Sequence, residues 1–179
     1  SDTPKENAAK AISELRSLGA SHLEILSGDK SAAVRRLAEK VGITEYSAEL
    51  LPQDKLDRFE KIYEENSKKG SVAYVGDGLN DSPVIIRSDV GFAMGKGGAA
   101  LSAKAADIVI VNDDIENVPR AVKIAKKTRK IVIGNIVFSL GVKALIMAVC
   151  LIWNPIMELA VLADVGVTLL AVLNCARIK

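Results

Sequence analysis

The chain has 179 residues and a formal net charge of +2 at pH 7, from 24 Lys or Arg and 22 Asp or Glu residues. A charge so close to zero argues against a nucleic-acid binder and against an acidic protein, and the length suits one ordinary domain. Two cysteines without paired spacing exclude a disulfide framework and a zinc knuckle, and they fit a reducing cytoplasmic side.

Helices and strands alternate along residues 1–120, as judged from hydrophobic periodicity and helix-stop signals. The predicted helices cover 4–19, 30–42, 55–70 and, leading into the apolar part of the chain, 117–130. The predicted strands cover 22–26, 71–75, 90–94 and 107–111. This alternation predicts an α/β fold with a Rossmann-like parallel sheet, helices on both faces and ligands at the carboxyl ends of the strands.

Three short polar segments stand at predicted strand ends or helix starts. They are "LSGD" at 26–29, "PQDK" at 52–55 and "GDGLND" at 76–81. The Ser27 hydroxyl and the Lys55 ammonium would hold phosphate oxygens. The carboxylates of Asp77 and Asp81 would hold Mg²⁺ against the same phosphate. Taken singly, Ser27 also fits a helix N-cap, Lys55 a solvated surface lysine and "GDG" a turn. The combination predicts a phosphoryl-transfer site that lacks its nucleophile.

Residues 131–176 are almost free of charge and contain only Lys143, Glu158 and Asp164. The segment 131–153 would span roughly 34 Å at about 1.5 Å per helical residue, which matches a hydrocarbon core of about 30 Å. The segment 156–176 has a similar length. The alternative is a buried hairpin of a soluble protein, but the preceding residues could hardly cover two such apolar helices and also build their own core. The pattern therefore predicts two transmembrane helices.

Basic residues flank the two predicted spans on one side only. Lys123, Lys126, Lys127, Arg129 and Lys130 precede the first span, and Arg177 and Lys179 follow the second. The connector between the spans contains no Lys or Arg. The positive-inside rule therefore predicts that both ends of the chain are cytoplasmic.

Lys143 and Asp164 each fall near the middle of a predicted span. A lone charge at that depth costs at least about 2.5 kcal/mol, so two opposite charges at matching depth are expected to pair. Such a pair would also serve a cation, with Asp164 as a ligand and Lys143 as its counter-ion. The alternatives are a snorkelling lysine and a protonated aspartate in a helix contact.

Polar residues recur every three or four positions in both spans and give each helix one polar stripe. The stripes contain Asn135, Ser139, Lys143, Met147 and Cys150 in the first span, and Asp164, Thr168 and Cys175 in the second. The sulfur-containing side chains are expected to pack rather than to bind metal. His22 is expected to be a surface or strand-edge residue.

The order of the motifs resembles a known family. The strings "SGD", "PQDK", "GDGLNDSP", "DVGFAMGKG" and "AADIVIV", followed by a basic helix entering a membrane, resemble the C-terminal part of P-type ATPases. Among these, the chain is similar to the heavy-metal transporters of the zinc, cadmium and lead class. The resemblance implies a haloacid-dehalogenase-like phosphorylation domain, in which ATP phosphorylates an aspartate and Mg²⁺ bridges that aspartate and the phosphate.

The resemblance also implies roles for individual residues at the phosphate site. Asp77 matches the family's Mg²⁺ ligand, Asp81 the second carboxylate that secures the magnesium site, and Asn80 a residue that helps to orient it. Lys55 matches the lysine that offsets charge on the phosphoryl group. The segment Ser27, Gly28, Asp29 stands where the family more often has Thr-Gly-Asp, and serine keeps the hydroxyl. "DTPK", at 2–5, resembles a hinge segment that follows the nucleotide domain.

In the membrane part, the resemblance implies that Asp164, in "ADVGV", serves the transported Zn²⁺ or Cd²⁺ together with Lys143. It leaves open which divalent metal is carried. It divides the chain into part of the phosphorylation domain at 1–120, a basic cytoplasmic linker helix at 121–130, transmembrane helices at 131–153 and 156–176, and a cytoplasmic tail at 177–179.

One element of the family pattern is missing, because the chain contains no DKTGT string for the phosphorylated aspartate. The nucleotide domain, which binds most of the ATP, the actuator domain and a Cys-Pro-Cys membrane helix are also absent. The chain is therefore expected to be a fragment that does not hydrolyse ATP alone, with the rest of the ATPase and the cell-membrane bilayer as partners. The alternatives are a membrane-tethered phosphatase of the same fold and a non-catalytic partner of a larger ATPase.

Overall fold

The computed structural model describes residues 7–76, 79–95, 105–112, 114–152 and 157–177. The chain divides into two compact units, Ser1–Arg120 and Ala121–Lys179. The helices are α1 (Asn7–Ser17), α2 (Ser31–Val41), α3 (Pro52–Asn66), α4 (Ser82–Arg87), α5 (Asn117–Ile152) and α6 (Met157–Cys175). The strands are β1 (Glu24–Leu26), β2 (Glu45–Ser47), β3 (Ala73–Gly76), β4 (Val90–Met94) and β5 (Ile108–Ile110), and a 3₁₀-helix covers Leu79–Asp81.

All the strands that the structure describes pair in parallel. β1 pairs with β2, and Ile25 stands opposite Tyr46. β3, β4 and β5 form a second sheet in that order, in which Val75 stands opposite Phe92 and Phe92 opposite Ile108. The α/β fold with parallel pairing, predicted from the alternation of helices and strands, is thus confirmed.

Two short elements escaped the sequence prediction. β2 has three residues, Glu-Tyr-Ser, which is too short and too polar for a period of two to stand out. α4 has six residues and begins beside Pro83, so it carries too few turns for a helical period. α3 begins at Pro52, the first residue of the PQDK segment that is predicted to open a helix. There the Leu51 N–H donates a 3.0 Å hydrogen bond to the Asp54 carboxylate and closes the first turn.

The core of the first unit forms where α3 packs on strands of both sheets. Phe59 is 2% exposed and lies in a cluster with Ile62, and Leu26 of β1 and Tyr74 of β3 pack against this cluster. The rings of Phe59 and Tyr74 meet edge to face, with centroids 5.8 Å apart. The apolar side chains of α3 recur every three or four residues, which places them on one face. The N-terminal turn of α3, which carries Lys55, is thereby fixed relative to β1 and β3.

A close contact between α4 and β4 gives a testable prediction. A Cβ added at Gly91 would lie 2.6 Å from Cγ2 of Ile85 and 2.8 Å from its carbonyl oxygen. Ile85 is 1% exposed and cannot move aside. Gly91→Ala is therefore expected to lower the free energy of unfolding of the first unit by about 1–3 kcal/mol.

Urea unfolding, followed by the near-ultraviolet signal of the three tyrosines, all of which lie in the first unit, measures this change. Gly70→Ala is the matched control, because a Cβ at Gly70 meets nothing within 4 Å. Equal stability of the two variants would contradict the contact between α4 and β4.

Among the described residues, one helix is long and apolar enough to cross a membrane, and its candidate span is Asn117–Cys150 within α5. The predicted basic helix and the predicted first span therefore form one continuous helix of 36 residues. α6 has 19 residues, and its described apolar part is Asp164–Cys175. The second span stays a prediction. Its connector, including Trp153, lies outside the described residues.

Candidate functional site

The structure brings two of the predicted phosphate-site residues into contact. Lys55, in the first turn of α3, donates a 2.9 Å hydrogen bond from Nζ to Oδ1 of Asp81 at the end of the 3₁₀-helix. The side chains are 17% and 10% exposed. An ion pair with so little water around it interacts more strongly than a pair on the surface. Lys55 is thus not the solvated surface lysine that its type alone would suggest.

Asp81 can approach the end of β3 only because residue 76 is glycine. A Cβ at Gly76 would lie 2.8 Å from the Asp81 Cβ and 3.1 Å from its Oδ2. Asp81 is 7% exposed, so the carboxylate is held at the carboxyl end of the strand. Asn80, in the same 3₁₀-helix, is exposed. Asp77 and Gly78 lie outside the described residues, as does the "DTPK" segment.

The Ser27–Asp29 segment forms a tight turn after β1. The Ser27 hydroxyl donates to Oδ2 of Asp29 at 3.1 Å, and the Asp29 N–H donates back to the Ser27 Oγ at 3.2 Å. The Leu50 N–H donates to the Ser27 carbonyl at 3.1 Å. A Cβ at Gly28 would come within 3.1 Å of the Leu50 carbonyl oxygen. The turn is thus attached to the residues that open α3.

The alternative interpretation of Ser27 as a helix N-cap is wrong. α2 begins at Ser31, and its cap position is occupied by Lys30. Ser27 lies three residues before that cap, directly after β1. Its hydroxyl therefore belongs to the strand end, as a phosphate ligand would require.

A buried carboxylate that sequence reasoning missed joins α3 to β1. Glu24 accepts hydrogen bonds from Arg58 Nε at 2.8 Å, Arg58 Nη2 at 2.9 Å and the Ser47 hydroxyl at 2.9 Å. Its side chain is 3% exposed. Burial acts to raise the pKa of Glu24, but the hydrogen bonds from Arg58 and Ser47 outweigh it and lower the pKa below 4.5. His22, beside β1, lies 3.3 Å from Glu24 and 3.5 Å from Glu45.

The only sequence signal for this contact is that Arg58 follows Lys55 by three residues and so shares its face of the helix. Nothing along the chain shows that a partner 34 residues away would meet it. The contact holds α3, and with it Lys55, against β1.

Because the folded-state pKa of Glu24 lies below its ordinary value, its ionised form stabilises the fold above pH 4.5. That stabilisation is lost as the pH falls through the lowered pKa. Glu24→Gln is expected to cost about 1–3 kcal/mol of unfolding free energy at pH 7 and progressively less below pH 4.5. Urea midpoints measured between neutral and acid pH test this result.

The control is Glu64→Gln, at an exposed position on α3. The urea midpoint of Glu64→Gln should equal that of the unchanged protein at every pH measured. If the urea midpoints of Glu24→Gln and the unchanged protein differ by the same amount down to strongly acid pH, Glu24 is not held ionised by Arg58.

The second unit contains the other predicted charge pair. Lys143 Nζ on α5 lies 2.9 Å from Oδ1 of Asp164 on α6, as their matching depths predict. The two side chains are 55% and 57% exposed, so both are accessible from the side of the hairpin. The pair lies on a cavity of about 350 Å³. That cavity is lined by Val142, Lys143, Ile146, Met147, Cys150, Asp164 and Val167. The contact argues against a lysine that snorkels away from the aspartate.

Comparisons with known proteins agree with this architecture. The family model described as haloacid dehalogenase-like hydrolase matches residues 1–89. The chain is 44% identical over 177 residues to a zinc-transporting ATPase of Synechocystis sp., covering 99% of this chain and 24% of that protein. It is 43% identical to a cadmium, zinc and cobalt-transporting ATPase of Bacillus subtilis, covering 99% of this chain and 25% of that protein.

A solved structure matches both units of the chain. The crystal structure of a zinc-transporting PIB-type ATPase in the E2·Pi state superposes with a TM-score of 0.88 at 33% identity. The match covers 99% of this chain and 28% of that one. The chain thus spans about a quarter of the length of the curated relatives it matches.

Proposed function

The chain belongs to the heavy-metal-transporting P-type ATPases, and we propose that it forms part of an ATP-driven exporter of a divalent metal such as Zn²⁺ or Cd²⁺. In this role residues 1–120 supply the magnesium-binding half of the phosphorylation site. Residues 131–153 and 156–176 supply a transmembrane hairpin. The curated relatives are transporters of zinc, cadmium and cobalt by name, and they support this class of substrate.

The observation that carries the proposal is the Lys143–Asp164 pair on two apolar helices. Charged side chains at membrane depth are costly and mark ion pathways. Asp164 offers a carboxylate that a divalent cation would bind more strongly than an ammonium group. When the metal has left, Lys143 neutralises the same carboxylate, so that no unpaired charge remains in the membrane.

At the phosphorylation site, Asp77 and Asp81 would hold Mg²⁺. The buried Asp81 carboxylate at the end of β3 fits this ion, because Mg²⁺ prefers hard carboxylate oxygens and few protein ligands. When bound, Mg²⁺ neutralises charge on the phosphoryl group. Asn80 would orient this part of the site.

Other groups of the chain act on the phosphate directly. Lys55, fixed beside Asp81 at 2.9 Å, places a positive charge where phosphoryl oxygens would lie. The Ser27 hydroxyl, which now donates to Asp29, would donate to a phosphate oxygen after a rotation about its side-chain bond.

The phosphorylated aspartate has to come from another segment, since the sequence contains no DKTGT string. Strand edges that are unpaired among the described residues would accept such a segment. Among the described residues, β1 pairs only with β2, and β3 pairs only with β4. One edge of each strand is therefore open, and β1 and β3 are the strands that lead to Ser27 and Gly76.

The proposal predicts that the 179-residue chain, incubated with labelled ATP and Mg²⁺, forms no acid-stable phosphoprotein. A complete transporter that contains this stretch should form one, and addition of Zn²⁺ or Cd²⁺ should stimulate its ATP hydrolysis. A labelled band from the 179-residue chain alone would mean that the nucleophile lies within it. A complete transporter without metal-stimulated hydrolysis would refute the proposed export.

We infer that the hairpin lies in the cell membrane and that both of its ends face the cytoplasm. The cluster of five Lys and Arg residues between 123 and 130 and the basic residues after 176 support this orientation. ATP and Mg²⁺ would then reach the first unit from the cytoplasm. The remainder of the ATPase would supply the nucleotide and actuator domains and the other membrane helices.

A further inference from the structure

Two asparagines connect α5 and α6 at a second polar contact, apart from the Lys143–Asp164 pair. Nδ2 of Asn174 donates a 2.7 Å hydrogen bond to Oδ1 of Asn135. Nδ2 of Asn135 donates to the carbonyl oxygen of Ala171 at 3.1 Å and lies 3.3 Å from Sγ of Cys175. Both asparagines are half-buried between the helices. Each amide therefore takes its partner from the opposite helix.

This contact is directional, whereas the surrounding contacts are not. Most side chains within one turn of the two asparagines are apolar, including Ile131, Phe138 and Leu170, and apolar contacts pack almost equally well after a small axial shift. Asn135 and Asn174 lie inside the predicted spans near their cytoplasmic ends, where water is scarce, so their amides favour the one arrangement in which they meet. A single polar pair can set helix register in the same way in coiled coils.

The register that joins the asparagines also joins the charges. On α5, Asn135 precedes Lys143 by eight residues, or about 12 Å along the helix. On α6, Asn174 follows Asp164 by ten residues, or about 15 Å. The helices are antiparallel, so both contacts form in the same alignment. A slip of one turn, about 5.4 Å, would break the 2.9 Å Lys143–Asp164 contact.

We propose that Asn135 and Asn174 are positioning residues that fix the register of the hairpin and hold Lys143 opposite Asp164. Asn174 donates to the Asn135 side-chain oxygen and Asn135 donates to the Ala171 carbonyl, which is why we assign them a positioning role rather than a role as metal ligands. The proposed role in helix register does not depend on the proposed transport activity. The consequence for transport rests on the proposed function of Asp164.

Cross-linking of the 179-residue chain in lipid vesicles tests the register. In a background with Cys150→Ala and Cys175→Ala, the pair Val142→Cys with Val167→Cys reports the observed alignment. The pair Ile146→Cys with Val167→Cys reports a slip of about one turn. Replacing Asn135 and Asn174 together by leucine is expected to lower the ratio of the first cross-link to the second by about threefold to tenfold.

Thr168→Ala is the matched control, because the Thr168 hydroxyl donates at 2.8 Å to the Asp164 carbonyl of its own helix. It should leave the ratio unchanged. Asn174→Leu alone should lower the ratio in the same direction. An unchanged ratio in the double leucine variant would overturn the proposal.

A second readout separates positioning from general stability. In the complete transporter, the double leucine variant should raise the Zn²⁺ concentration for half-maximal ATPase stimulation by about threefold or more. The KM for ATP should not change. If the cross-link ratio falls while Zn²⁺ dependence stays the same, the asparagines set register but do not position the metal site, and that half of the proposal fails. If the unchanged transporter shows no metal stimulation, the proposed function fails and cross-linking alone decides the register.

Discussion

Replacing Asp164 by alanine in the complete transporter is expected to abolish the stimulation of ATP hydrolysis by Zn²⁺ or Cd²⁺. The Asp164 carboxylate contacts Lys143 at 2.9 Å. In the proposed transport cycle a metal ion takes the place of the lysine ammonium beside this carboxylate. Alanine leaves no carboxylate at this position, so the cation loses its charged ligand on α6 and Lys143 loses its counter-ion.

The measurement is the rate of phosphate release as a function of metal concentration, with purified transporter in lipid. Asp164→Asn separates charge from shape, because the amide keeps an oxygen at the same place but carries no charge. This variant should be almost as impaired as alanine. The control Thr168→Ala removes a polar group from the same helix and should keep full stimulation. Unchanged stimulation of Asp164→Ala would remove this residue from the metal pathway.

The sequence predicts which residues come close together where the position of both residues is constrained, either by depth in the membrane or by a place at a strand end or helix start. Lys143 and Asp164 each stand near the centre of an apolar segment, and the cost of a lone charge there requires a partner. Lys55 and Asp81 each stand at a helix start or after a strand, and the carboxyl ends of parallel strands meet at one edge. Position predicts the first contact itself, whereas for Lys55 and Asp81 it predicts only that the two residues share a site.

The contacts that were missed depend on how two elements are aligned, and no local pattern encodes that alignment. Glu24 and Arg58 look like ordinary strand and helix charges until α3 packs on β1. Asn135 was recognised as part of a polar stripe, but its contact with Asn174 requires the register of the hairpin. β2 was missed for a related reason: its three residues form a strand only because β1 lies beside them.

The second large effect is expected at the proposed phosphate site. Lys55→Met in the complete transporter is expected to lower the rate of phosphoprotein formation from ATP by about a hundredfold to a thousandfold. The Lys55 ammonium lies 2.9 Å from Asp81, and its side chain is 17% exposed. The rate falls because this positive charge no longer offsets the negative charge of the phosphoryl group. Methionine keeps the length of the side chain and removes only the charge.

The experiment measures incorporation of labelled phosphate from ATP at several Mg²⁺ concentrations. Asp81→Asn should raise the Mg²⁺ concentration needed for half-maximal phosphate incorporation, because an amide neither balances the charge of Lys55 nor attracts the cation. Lys55→Met should lower the rate of incorporation even at saturating Mg²⁺. Lys61→Met, at an exposed position on the same helix, is the matched control and should behave like the unchanged protein. If Lys55→Met and Lys61→Met form phosphoprotein equally fast, the contact between Lys55 and Asp81 stabilises the fold and takes no part in phosphoryl transfer.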